Sequence, residues 1–191
     1  MSKGRLEAFS DGVIAIVITI MVLELKIPHG ADWATLRVVI PAFLTYALSF
    51  IFLGIYWNNH HHMLQATDRI NGRILWANLN LLFWLSLIPV ATGWIGDSHF
   101  ASLPTAIYGV ILLLDAVAYQ ILYATIVAAH GPNSRLATAV GGDFKGKLST
   151  ALYMAAIPLA FVNRWISMGI YVFVALMWLV PDPRIESRLN P

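Results

Sequence analysis

Cysteine is absent from the 191 residues, and charged side chains are scarce. Without cysteine the chain forms no disulfide, has no thiolate nucleophile and offers no thiolate metal ligand. Charged residues make up 12% of the chain, about half of the roughly 25% that is typical of a soluble domain. The net charge is only +2 and the basic residues are scattered, so we expect no nucleic-acid partner.

Apolar residues take the place of the missing charge. They form 59% of the sequence, and the mean hydropathy is +0.71. The stretches 38–57 and 74–96 carry no charged side chain, and each reaches the roughly 20 residues that cross a hydrocarbon layer of about 30 Å. The sequence therefore predicts an integral membrane protein surrounded by a lipid bilayer.

The apolar runs and their interruptions predict an all-α protein with six transmembrane helices in a single domain that spans residues 1–191. Pro28 ends the first helix, and Gly131 with Pro132 ends the fourth. Asn163 and Arg164 separate the last two helices, because an isolated arginine at mid-bilayer costs several kcal/mol on most scales. The predicted helices are 5–26, 35–62, 74–97, 104–129, 146–162 and 164–181.

Orientation follows from the basic residues. Nine of the 12 lysines and arginines fall on one side of the six-helix map and three on the other, so both termini are predicted to be cytoplasmic in a cell membrane. The charges at the N-terminus and the lack of a small-residue cleavage signal predict that the first helix is retained. The polar tail 181–191 is predicted to lie outside the membrane.

Polar residues next to the apolar runs mark the candidate sites. Arg5, Phe9, Ser10 and Asp11 stand at the head of the first helix, where an ordinary helix start is the simpler interpretation. Three consecutive histidines begin at His60, but neighbours on a helix point about 100° apart and cannot all bind one ion. We therefore predict no metal site.

Three motifs carry a resemblance to a known family. Arg5, three further residues and Phe9-Ser10-Asp11 match the signature at the head of the first helix of the transmembrane protein 175 family of potassium channels. The match continues through residues 12–19 and at Leu23. Tyr56 to His61 at the end of the second helix and Asn78 to Pro89 in the third helix are also similar to that family. The resemblance covers at least residues 5–96, and the predicted six-helix layout agrees with the family over the rest of the chain.

The resemblance implies a potassium-permeable channel that lacks a TVGYG filter. It implies a homotetramer in which the first helix of each subunit lines a central pore, and a hydrophobic constriction at Ile16 with Thr19, Ile20 and Leu23 on the same face. Offsets of three, four and seven residues allow one stripe. The helix is apolar all round, however, so periodicity alone leaves the pore face open. The Thr19 hydroxyl either assists an ion or bonds back to the carbonyl of Ala15 or Ile16.

The resemblance also implies a supporting polar network. Ser10 and Asp11 would bond to His60 or His61 of the second helix and to Asn78 or Asn80 of the third. We expect no enzymatic activity and no cofactor, with K⁺ as the permeating ion. The leading alternative is a proton- or cation-coupled secondary transporter that titrates Asp11, Asp115 and the histidines. A membrane enzyme with a histidine-bound metal is the second alternative.

Overall fold

The computed structural model describes residues 2–28, 30–131, 134–140 and 143–179. Within these ranges the regular structure is entirely helical, which confirms the predicted all-α class. The predicted tail 181–191 and the last two residues of the predicted helix 164–181 lie outside the described residues. The helices are α1 (Lys3–Leu23), α2 (Trp33–Gln65), α3 (Gly72–Leu85), α4 (Ile88–Asp97), α5 (Ser102–His130), α6 (Arg135–Val140), α7 (Phe144–Val162) and α8 (Arg164–Leu179).

In the part of the chain that the structure describes, four helical stretches are long and apolar enough to cross a membrane. They are α1, α2, the combined α3 and α4, and α5, whereas α8 is a shorter apolar helix. Six crossings per subunit therefore stay a prediction. The short helix α6 lies within the segment 130–147 that the sequence analysis treats as a loop.

The predicted third helix, 74–97, is two helices in the structure. The helical pattern breaks at Ser86 and Leu87. Pro89 lacks an N–H group, so it cannot bond to the carbonyl of Leu85, and its ring crowds that same carbonyl. Ser86 Oγ donates instead to the carbonyl of Phe83 at 2.7 Å. The predicted helix 74–97 thus corresponds to α3 followed closely by α4.

Side-chain caps fix the starts of α2, α3 and α7, among other helices. Asp32 accepts the backbone N–H of Thr35 at 2.8 Å at the start of α2, and the bonds from the Thr35 side chain and backbone lower the pKa of Asp32. Asn71 caps α3 through the N–H of Ile74 at 3.0 Å. Asp143 caps α7 through the N–H of Gly146 at 3.2 Å. These bonds satisfy helix-end donors that would otherwise lack partners.

Helix α5 is the centre of the bundle. It packs against α3, α4, α7 and α8, and its Tyr108 and Leu112 are completely buried. Gly109 permits the close approach of α8, because a Cβ atom at this position would overlap the hydroxyl of Tyr171. Helices α7 and α8 form a hairpin that turns at Asn163, whose Oδ1 accepts the N–H of Trp165 at 3.0 Å.

Helix α1 lies beside this bundle and contacts α2, α3 and α4. Only one side of it is buried. The buried positions recur every three or four residues, which is the spacing of one helix face. They are Leu6, Ser10, Ile14, Val17 and Met21.

Candidate functional site: helix α1 and its polar anchor

The side of α1 opposite to its buried residues is not covered by the other described helices. Ile16 is 58% exposed, Ile20 is 43% exposed and Leu23 is 80% exposed, and Thr19 is also exposed. At 100° per residue, Thr19, Ile20 and Leu23 fall within about 60° of Ile16 around the helix axis. The four residues of the proposed constriction therefore share one stripe that the subunit itself leaves uncovered.

The Thr19 hydroxyl has a partner within its own helix. It donates to the carbonyl oxygen of Ile16 at 2.9 Å. This is the local back-bonding that threonine often adopts in a helix. The hydroxyl proton is thereby used in a bond to the backbone. Thr19 is exposed, so the lone pairs of its oxygen remain available as acceptors.

On the bundle side, α1 is joined to α2 and α3 by a chain of three side chains that we call the polar anchor: Ser10, Asn78 and His60. Asn78 Nδ2 donates to Ser10 Oγ at 3.0 Å, and Ser10 Oγ donates in turn to the carbonyl of Leu6 at 2.9 Å. His60 Nε2 lies 2.7 Å from Asn78 Oδ1. All three anchor residues are at most 1% exposed.

The polar anchor has a defined direction. Because the Asn78 amide nitrogen donates to Ser10, its oxygen is left as an acceptor, and an amide oxygen has no proton to give. His60 must therefore carry a hydrogen on Nε2 and donate it to Asn78. Each of the three helices α1, α2 and α3 supplies one member, so the contact fixes how α1 is rotated against its neighbours.

Asp11 binds to a residue that the sequence analysis did not pair with it. Trp57 Nε1 donates to Asp11 Oδ1 at 3.0 Å. His61 stacks on the Trp57 ring with 6.0 Å between centroids, so it reaches Asp11 only through the indole. Trp57 stands within one of the three motifs, but nothing in its sequence position shows that its N–H points to α1.

The remaining predicted residues are not brought into this cluster. Arg5 and Phe9 are exposed. Asn80 forms no hydrogen bond within the described part of the chain and instead lines an open groove between α3 and α5 with Arg73 and Trp76.

The three consecutive histidines face different surroundings. His60 belongs to the polar anchor, and His61 stacks on Trp57. The Nδ1 atom of His62 is buried and has no hydrogen-bond partner among the described residues. Over the ranges that the structure describes, no three His, Asp or Glu side chains are grouped as metal ligands would be.

A second buried polar contact was missed by the sequence analysis. Thr92 Oγ1 of α4 lies 2.7 Å from Ser49 Oγ of α2, and Ser49 Oγ lies 2.9 Å from the hydroxyl of Tyr108 in α5. The signal available in the sequence was a small hydroxyl residue inside each apolar run. Such residues often hydrogen-bond between membrane helices, but their partners are set by the packing.

The chain is similar to known proteins. The family model described as "Endosomal/lysosomal potassium channel TMEM175" matches residues 5–89. A protein named as a potassium channel from Chryseobacterium sp. (strain P1-3) is 56% identical, with 100% of this chain and 99% of that protein covered. The bovine endosomal/lysosomal proton channel TMEM175 is 28% identical over 99% of this chain and 44% of its own length.

A solved structure is similar over the whole fold. It is the crystal structure of a lysosomal potassium-selective channel TMEM175 homolog from Chamaesiphon minutus, with a TM-score of 0.78 and 26% sequence identity. The similarity covers 99% of this chain and 98% of that one.

Proposed function

Because the chain belongs to the TMEM175 family of potassium channels, we propose that it conducts potassium ions through a pore lined by α1 of several identical subunits. The observation that carries this proposal is the uncovered stripe of Ile16, Thr19, Ile20 and Leu23. One subunit supplies one such stripe, and a closed ring around an ion pathway needs several copies. We propose a homotetramer.

The stripe is suited to a hydrophobic constriction. Rings of Ile16, Ile20 and Leu23 would expel water from a narrow passage, and ions do not cross a dewetted passage readily. The Thr19 oxygen would be the one side-chain acceptor on this face. The chain contains no TVGYG segment, so selection among monovalent cations would depend on the constriction rather than on a carbonyl filter.

The polar anchor would hold the constriction in place. It lies on the bundle side of α1, at Ser10, about two turns before Ile16. A rotation of α1 that moved Ile16 away from the pore axis would break the contact between Ser10 and Asn78. The anchor therefore favours one rotational setting of the pore-lining stripe.

The placement in the cell membrane completes the proposal. Six crossings per subunit, formed by α1, α2, α3 with α4, α5, α7 and α8, would leave both termini in the cytoplasm, as the distribution of basic residues indicates. K⁺ would pass without a cofactor. The transporter alternative is not favoured, because the curated relatives are named as channels.

Planar-bilayer recording of the purified protein tests the proposal. We expect passive K⁺ currents with single-channel steps, and Ile16→Asn should hydrate the constriction and raise the conductance or reduce the selectivity. Val22→Asn is the matched control, since Val22 is 46% exposed on the same helix but lies about 120° from Ile16 around the axis. Equal currents from the parent and Ile16→Asn would refute Ile16 as the constriction.

A further inference from the structure

Asp115 in α5 is completely buried, and neither oxygen of its carboxyl group has a hydrogen-bond partner within the described part of the chain. The two ion pairs found in that part are Lys3 with Glu7 and Lys26 with Asp97, so Asp115 belongs to neither. A charged carboxylate without a partner is very costly at low dielectric, and such a group takes up a proton instead.

Tyrosines from three helices lie within electrostatic range of Asp115. It interacts electrostatically with Tyr56 of α2, Tyr108 of α5 and Tyr153 of α7. The Tyr108 hydroxyl is already engaged with Ser49 at 2.9 Å. The hydroxyls of Tyr56 and Tyr153 form no hydrogen bond with any described residue. No lysine, arginine or histidine among the described residues forms an ion pair or hydrogen bond with Asp115.

A small cavity begins at Ala116, the residue that follows Asp115 in α5, and Asp115 itself is not among the residues that line it. Its volume is about 40 Å³, which exceeds the roughly 10–15 Å³ that one internal water requires. Its polar lining includes Tyr56, Asn59, Tyr119, Gln120 and Tyr153, and it extends to Asp143 at the start of α7. Polar groups that lie near each other without direct bonds are often bridged by water.

We propose that Asp115 is a buried proton-binding site, reached by internal water through the cavity between α2, α5 and α7. The bound proton makes the carboxyl group neutral, and the neutral acid donates to a water that lies between it and the hydroxyls of Tyr56 and Tyr153, two residues that line the cavity. The cavity leads towards Asp143, where burial raises the pKa of the carboxyl group. The site is separate from α1, which packs against α2, α3 and α4.

A proton fits this site better than a metal cation does. A monovalent cation requires several oxygen ligands arranged around it, whereas Asp115 offers one carboxyl group whose oxygens have no hydrogen-bond partner among the described residues. The cavity also has no room for an ion with its hydration shell, because about 40 Å³ accommodates only a few water molecules.

Infrared spectroscopy of the purified protein in liposomes tests the proposal. At neutral pH the parent should show the carbonyl stretch of a protonated carboxylic acid, and Asp115→Asn should lack it. Asparagine has the shape of the neutral acid, so this variant should fold. In D₂O the band should move to the frequency of the deuterated acid within the time of solvent exchange, because water reaches the site.

Two further variants locate the partner of the acid. Tyr153→Phe removes a cavity hydroxyl and should shift the carbonyl band, whereas Tyr123→Phe makes the same change further along α5 and should leave it in place. The proposal is overturned if the parent and Asp115→Asn have the same spectrum in the carboxylic-acid region. It is also overturned if the band does not respond to D₂O or to Tyr153→Phe. None of these results depends on whether α1 lines a pore.

Discussion

Replacing Asn78 with alanine removes the residue that connects α1, α2 and α3 in the polar anchor. Two hydrogen bonds are lost, from His60 at 2.7 Å and to Ser10 at 3.0 Å. After the substitution, Ser10 still has a hydrogen-bond partner and His60 does not. Ser10 keeps its bond to the carbonyl of Leu6, whereas His60 is 1% exposed and its Nε2–H group is left without an acceptor.

The expected loss in the free energy of unfolding is the sum of these two effects. Loss of the bond to Ser10 costs about 1 kcal/mol, since hydrogen bonds between membrane helices average about 0.6 kcal/mol and reach about 1.7 kcal/mol. A buried donor without a partner costs about 1–3 kcal/mol. We therefore expect Asn78→Ala to lower the free energy of unfolding by about 2–4 kcal/mol, which is a change of roughly 30- to 700-fold in the equilibrium constant at about 1.4 kcal/mol per factor of ten.

Reversible unfolding of the purified protein in mixed micelles, followed by circular dichroism, measures this change. Asn58→Ala is the matched control, because Asn58 lies on α2 close to His60 and is exposed. It should shift the free energy of unfolding by no more than about 0.5 kcal/mol. If Asn78→Ala and Asn58→Ala gave the same result, the polar anchor would not stabilise the packing of α1.

Three further predictions concern other contacts. A Cβ atom at Gly96 would lie 2.7 Å from the Cα of Ala42, so Gly96→Ala should destabilise the protein by about 1–3 kcal/mol in the same unfolding assay. Gly169→Ala, with nothing within 4 Å of its Cβ, should not. The exposed Lys26 and Asp97 pair at 2.6 Å should contribute no more than about 1 kcal/mol, and a larger loss in Lys26→Ala would contradict this. The lowered pKa of Asp32 means that its capping contribution is present above the unfolded-state pKa and is lost as the pH falls through the folded-state value. The hydrogen-exchange protection of the Thr35 amide should fall on acidification in the parent and stay constant in Asp32→Asn.

The helical class and the family could be predicted from the sequence because both depend on local signals. Long uncharged runs indicate membrane helices whatever their neighbours are, and the signature from Arg5 to Asp11 is contiguous. The orientation of α1 could not be predicted in this way. Its residues are apolar on all sides, and only contact with α2, α3 and α4 distinguishes the buried Ile14 from the exposed Ile16.

Hydrogen bonds between residues far apart in the sequence could not be predicted either. Trp57 and Asp11 are 46 positions apart, and no periodicity relates residues at that distance. Pro89 was visible, yet proline is tolerated within membrane helices when neighbouring groups satisfy the freed carbonyls. A continuous helix through Pro89 and a break just before it are both permitted, so the sequence alone did not distinguish them.

The polar contacts that hold α1 to the other helices are concentrated in its first half. Its first half is held by Lys3, whose Nζ donates to the carbonyl of Gln65 at 2.9 Å, and by Ser10 and Asp11. Beyond its last turn the polar connection is an ion pair with side chains 74% and 57% exposed. Thermal displacement should therefore grow from Ser10 towards Leu23. In the proposed homotetramer, small tilts of this helix would alter the spacing between opposing Leu23 side chains far more than the spacing between those of Ile16.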